Sequence, residues 1–240
     1  MPGPLDLVFA VLFLIAYPLW DYFVNWPKTQ RLLASGRPDA RISVYRGILA
    51  VEWSAAAIVA ALWLAHHRAA PALGLGVPGG WRLAVGALVV VAVAALMLAQ
   101  LRAVRALPAA KRARLGEKLD GVGAIVPRTQ GERRWFVAVS VTAGVCEELL
   151  YRGFLVWALR PWLGAWGAAG ASYASFVFAH AYQGRSQIRG AAGMGLVLAL
   201  LALGCGSILP GVVLHALVDV LGGETGHALV RESATAELTA

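Results

Sequence analysis

Seven apolar runs, separated by short polar or basic connectors, leave this 240-residue chain few ways to fold. They cover about 7–26, 47–65, 83–101, 135–157, 163–182, 190–203 and 207–221. Hydrocarbon offers no partner to a peptide N–H or C=O, so a run that crosses it must satisfy its own backbone, as a helix does. A crossing takes about 20 residues, which the first five runs approach or exceed. The last two are shorter, are joined by the tight turn 204–207, and include Pro210. They are read as two crossings with protein-packed ends rather than as a re-entrant pair. The expected fold is all-α, a polytopic transmembrane helical bundle of about seven membrane helices. Composition agrees: 59% of residues are hydrophobic and 14% charged, where a soluble domain has about a quarter charged.

The basic residues are distributed asymmetrically. Five lie between the first and second runs and nine between the third and fourth, whereas Arg68, Arg82 and Arg160 fall in the alternate connectors. By the positive-inside rule the N-terminus is expected outside and the C-terminal tail, with Arg231, in the cytoplasm. The net charge of +8 is thus assigned to topology and anionic lipid, and no nucleic-acid partner is expected. Within 102–134, Leu115, Leu119 and Val122 share one helical face beside Lys111, Arg112, Arg114 and Lys118. This pattern suits a basic amphipathic helix on the cytoplasmic leaflet and equally a solvated connector. The start lacks a basic leader region, so no cleavable signal peptide is expected. Cys146 and Cys205 lie in apolar runs and read as small buried hydrophobes.

The fourth run contains Glu147-Glu148-Leu149-Leu150-Tyr151-Arg152. Each ionisable side chain there costs roughly 2.5–3.5 kcal/mol on insertion, so these groups must be paired, wetted or used. On an α-helix Glu148 and Arg152 (i, i+4) lie about 40° apart around the axis and form an ion pair. Glu147 is turned about 100° from Glu148 and keeps a carboxylate without a local counter-ion. A carboxylate so placed suits a general base acting on water. Downstream, His180 ends the fifth run, and His215 and Asp219 share a face of the seventh.

Other chemistries fit the residues less well. Glu147, His180, His215 and Asp219 include reasonable zinc ligands, but they come from three helices without close ligand spacing, so the expectation is no cofactor and a metal-independent site, with zinc as the open alternative. Ser172 and Ser175 precede His180 on one helix, and nothing marks either as a nucleophile. Glu52 in the second run reads as a buried partner for an arginine. Tryptophans near run ends (Trp20, Trp26, Trp135, Trp157 and Trp162) read as interfacial anchors.

The three polar clusters together resemble the CAAX protease and bacteriocin-processing (CPBP, or Abi) family of membrane proteins. That family's E-E-x-x-x-R motif is met by Glu147, Glu148 and Arg152, its F-x-x-x-H motif by Phe176 and His180, and its H-x-x-x-N/D motif by His215 and Asp219. The resemblance covers roughly 135–223, within a single transmembrane domain 1–240 whose residues 1–134 supply N-terminal helices and the basic connector. It implies a glutamate-type intramembrane endopeptidase without a metal. Glu147 would activate water that His180 also holds. Glu148 and Arg152 would buttress the site, and His215 and Asp219 would stabilise the oxyanion. Asp219 stands where an amide is the better donor, so orientation of His215 is its alternative role.

The expected function is therefore hydrolysis of a peptide bond in a peptide or protein substrate, in a bacterial inner membrane. An Ala-, Gly- and Arg-rich composition of GC-rich coding supports the bacterial source. Two rival readings are a proton-coupled transporter, which would ordinarily show internal repeats absent here, and a non-catalytic immunity or scaffold protein.

Overall fold

A computed structural model describes residues 1–119 and 123–230, with side chains apart from those of Gln183, Arg185, Ser186 and Gln187. Val122 and Arg231 therefore lie outside the described residues. Among these residues the chain is helical, with no strand. Helix α1 runs over Pro4–Ala34, α2 over Ala40–Ala65 and α3 over Gly80–Ala106. A short connector helix α4 covers Ala109–Gly116. Helix α5 (Gln130–Glu147) continues through a wider, π-helical stretch, Glu148–Leu155, into α6 (Val156–Ala179). Helices α7 (Arg185–Cys205) and α8 (Leu209–Val230) complete the bundle.

All seven apolar runs are thus helical. The last two belong to helices of 21 and 22 residues, each about 30 Å long at 1.5 Å per residue. That is the thickness of the hydrocarbon core, so neither has the length of a re-entrant stub. Helices α1, α2, α3 and the 188–205 part of α7 are long and apolar enough to cross a membrane. Between 6% and 28% of their apolar windows is buried in the protein, so most of that surface is left for lipid. The protein is an integral membrane protein. The helices that carry the polar clusters are the ones packed inside.

Local sequence sets the ends of these elements. Helix α5 starts on a capping box: Thr129 Oγ1 accepts from the Glu132 amide at 3.2 Å, and Glu132 Oε2 accepts from the Thr129 amide at 3.0 Å. The chain reverses inside the α6 span at Gly164, whose φ of 64° and ψ of 179° suit a residue without Cβ. The returning half packs on the π-helical stretch, where Ser172 donates to the Tyr151 carbonyl at 2.6 Å. The π stretch also corrects the α-helical geometry predicted over 147–152. Its turns are wider from Glu148 onward, a distortion often found at functional sites.

Two apolar cores flank a polar layer. One joins Phe13 of α1, Val59 and Trp63 of α2, Leu150, Tyr151 and Phe154 of the π stretch and Phe176 of α6. The other joins Leu198 and Leu201 of α7 with Leu214 of α8. The N-terminal helices, which carry no motif, therefore contribute four of the eleven buried residues of the first core, Ala10, Phe13, Val59 and Trp63. Helix α4 is a short connector whose Gly116 packs on the backbone of Leu229, while Lys111, Arg114 and Lys118 are exposed.

The two ends of the bundle differ. At the basic end, Glu224 of α8 accepts from Arg133 of α5 at 2.8 and 2.7 Å and from Arg105 of α3 at 3.0 Å. At the opposite end, buried Asp6 pairs with both terminal nitrogens of Arg68 at 2.8 and 2.5 Å. The Arg68 guanidinium also lies 4.5 Å from the Trp157 ring centroid. Trp157 is thus a packing partner of a half-buried cation as well as a residue near a helix end.

Candidate active site

The polar layer between the two cores holds the site. Its assembly depends on how closely α5 approaches α8. A Cβ on Gly144 would lie 2.8 Å from the Val212 carbonyl oxygen and 2.9 Å from Ala216. Bare glycine at this crossing lets the backbones meet, as small residues do in membrane bundles, and brings His215 against the glutamates.

Glu148 is the centre of the arrangement. Its side chain is fully buried, and its Oε1 accepts from Arg152 Nη1 at 3.0 Å and from His215 Nδ1 at 3.0 Å. Arg152 also donates to the Gly195 carbonyl at 3.2 Å, and its guanidinium lies 4.1 Å from the Phe176 ring centroid. The ion pair expected from the i, i+4 spacing is present. The link from Glu148 to His215 joins helices 67 residues apart and was not legible in the spacing. It makes Glu148, rather than Asp219, the carboxylate that holds the imidazole.

With Nδ1–H donated to Glu148, His215 turns Nε2 toward two further carboxylates, Glu147 Oε2 at 3.9 Å and Asp219 Oδ2 at 3.8 Å. Neither is a direct hydrogen bond; each is a separation at which a bridging water is the natural partner. Glu147 Oε2 is buried and has no hydrogen-bond partner, as expected for the carboxylate without a local counter-ion. Side-chain exposure is 19% at Glu147 and 36% at Asp219. Asp219, one turn along α8 toward the basic end, is the more exposed of the two.

His180 caps α6 and donates Nδ1–H to the Phe176 carbonyl at 2.8 Å. Its ring packs on Phe176 at 4.4 Å between centroids, and Phe176 in turn meets His215 edge-on at 6.0 Å. Both histidines thus commit Nδ1 to a fixed acceptor and leave Nε2 for other work, the usual way a protein selects a tautomer. His180 interacts electrostatically with Asp219 and with Asp21 of α1. All six candidate residues therefore belong to one neighbourhood built by α5, α6 and α8.

A seventh group was read differently from the sequence. Glu52 of α2 has no arginine partner among the described residues, and its Oε2 is buried without a hydrogen bond. It interacts electrostatically with Glu147, His215 and Asp219. Its position inside an apolar run was the only sequence signal, and nothing local shows which helix it faces. Cys146 and Cys205 are free and buried, and Ser172 and Ser175 donate to backbone carbonyls at 2.6 and 2.8 Å. Among the described residues no three His, Cys, Asp or Glu side chains form a metal-ligand cluster.

No curated protein and no solved structure matches the chain. A family model described as Rce1-like, type II CAAX prenyl endopeptidase, matches residues 129–221. That stretch runs from the cap of α5 into α8 and carries Glu147, Glu148, Arg152, His180, His215 and Asp219, and over it the chain is similar to the CAAX protease (CPBP) family.

Proposed function

We propose that this protein is an intramembrane endopeptidase in which Glu147 activates the attacking water. The observation that carries the reading is the pair formed by the buried, unpartnered Oε2 of Glu147 and His215 Nε2, 3.9 Å apart, with the imidazole held from behind by Glu148. A water about 2.8 Å from each atom would bridge them.

In the proposed reaction Glu147 takes a proton from this water, and the oxygen adds to the scissile carbonyl carbon. His180, with Nδ1–H fixed on Phe176, accepts a hydrogen bond from the same water through Nε2. The carbonyl oxygen becomes an oxyanion and receives a hydrogen bond from Nε2–H of protonated His215, aligned in advance by Glu148 and Arg152. Asp219 lies beside that nitrogen and orients the imidazole; as a carboxylate it does not itself donate. Glu147 then passes its proton to the departing amine nitrogen, the C–N bond breaks, and a carboxylic acid and an amine leave. None of these steps requires a metal.

The substrate is a peptide or protein that reaches the site from the bilayer or from the basic end. We place the protein in a bacterial inner membrane, with its N-terminus outside and the basic end cytoplasmic, in accordance with the positive-inside rule. Purified protein is to be assayed against a diverse peptide library, with Glu147→Gln as control and with chelator present. Cleavage that survives the chelator and disappears in Glu147→Gln is expected. Cleavage retained by Glu147→Gln would remove Glu147 from its role, and loss in chelator restored by zinc would make the reaction metal-dependent.

A further inference from the structure

A second concave region lies at the opposite end of the bundle, on the far side of the Glu148–Arg152 pair. It is a cavity of about 310 Å³ between the 71–74 loop, the π-helical stretch, α6 and the α7–α8 turn. Three arginines line it: Arg82 from the first turn of α3, Arg152, and Arg160 just ahead of the Gly164 reversal. Among the described residues no aspartate or glutamate lines it.

The charge is therefore unbalanced. Arg152 is met by Glu148, and Arg68, at the same end of the bundle, is met by Asp6. Arg82 and Arg160 have no carboxylate partner among the described residues; Arg82 has only a ring contact with Trp81, at 5.6 Å. Both are exposed, while Arg152 is buried. Guanidinium groups present paired N–H donors that match the oxygens of a phosphate. The remaining wall is largely apolar, with Leu73, Val156, Leu203 and Ile208. Its volume lies at the small end of ligand pockets, about 300–1,000 Å³.

We propose that this cavity is a binding site for a phosphate group, carried by an anionic phospholipid headgroup or present as the free ion. Arg82 and Arg160 supply the charge, and the apolar wall takes the carbon skeleton of a lipid carrier. The cavity shares Arg152 with the peptidase centre, but the binding assigned to Arg82 and Arg160 does not depend on the reaction proposed there. Arginines that serve only topology need no cavity and no ligand, and this difference makes the proposal testable.

Full-length protein in neutral detergent is to be titrated with inorganic phosphate, with phosphatidylglycerol or with diacylglycerol, at ionic strength matched with sodium chloride, while the thermal midpoint is followed. The Arg82→Gln/Arg160→Gln variant is to be titrated in parallel. The midpoint of the wild type is expected to rise with a phosphate-bearing ligand, and the half-saturating concentration to be at least tenfold higher in the variant. A rise with inorganic phosphate identifies the free ion as sufficient, and a rise with phosphatidylglycerol alone identifies the headgroup. An equal rise with diacylglycerol, equal responses of wild type and variant, or no response of the wild type to either phosphate source would overturn the proposal.

Discussion

Glu147 and Glu148 are neighbours in sequence, yet their environments predict opposite phenotypes. Glu148 is fully buried and accepts from two buried partners, Arg152 and His215, each at 3.0 Å. Truncation to alanine leaves a guanidinium inside the protein without its counter-charge. Breaking one side of a buried pair costs about 3–5 kcal/mol. For a chain of this size each kcal/mol corresponds to about 2–4 °C, so Glu148→Ala is expected to lower the melting midpoint by about 6–20 °C. Glu148→Gln keeps an oxygen acceptor and belongs near the lower end of that range. Glu147 Oε2 has no partner to lose. Glu147→Gln should therefore leave the midpoint within about 0.5 kcal/mol of wild type, while the rate falls by about 10²–10⁴ if it is the base. Tryptophan fluorescence during heating in detergent, set beside peptide cleavage, reads both quantities. The reasoning is refuted if Glu147→Gln is the unstable variant and Glu148→Ala melts like wild type.

Three further outcomes follow from the packing. Gly144→Ala places a methyl group 2.8 Å from the Val212 carbonyl oxygen, so α5 and α8 must separate. A cost of about 1–3 kcal/mol should accompany a loss of about 10² in rate as His215 shifts from Glu148, and equal activity in the variant would count against the helix crossing as the alignment device. Asp6→Asn is expected to destabilise the protein by about 3 kcal/mol, since it leaves Arg68 unpaired; addition of Arg68→Gln should restore part of the loss in a double-mutant cycle. Glu52→Gln should preserve the fold and change kcat by about tenfold, or 1.4 kcal/mol, through the field at Glu147. Unchanged kcat and KM would detach Glu52 from the site.

Much of this architecture was legible because membrane folding is dominated by a one-dimensional signal. A run of apolar residues long enough to cross hydrocarbon has no alternative to the helix. The seven runs therefore appear where hydropathy put them, and the short sixth and seventh are extended at their ends by protein contacts. The reversal at Gly164 falls just inside the start of the fifth run, close to the break between the fourth and fifth runs. The Glu148–Arg152 pair was equally legible, because residues four apart meet on any helix and do so here even through wider π turns.

The sequence by itself therefore determined the spans, the local ion pair and the presence of a carboxylate without a local counter-ion. Only the tertiary structure decided that Glu148, not Asp219, grips His215, that Glu52 faces the site carboxylates instead of an arginine, and that Arg82 shares one cavity with Arg152 and Arg160. The physical reason is the range of the interactions. Helix geometry relates residues within a turn or two of one another, whereas contacts between helices depend on how near two backbones come and how far each is rotated. Here that is set by small residues such as Gly144, whose role is visible only when the partner helix is in place.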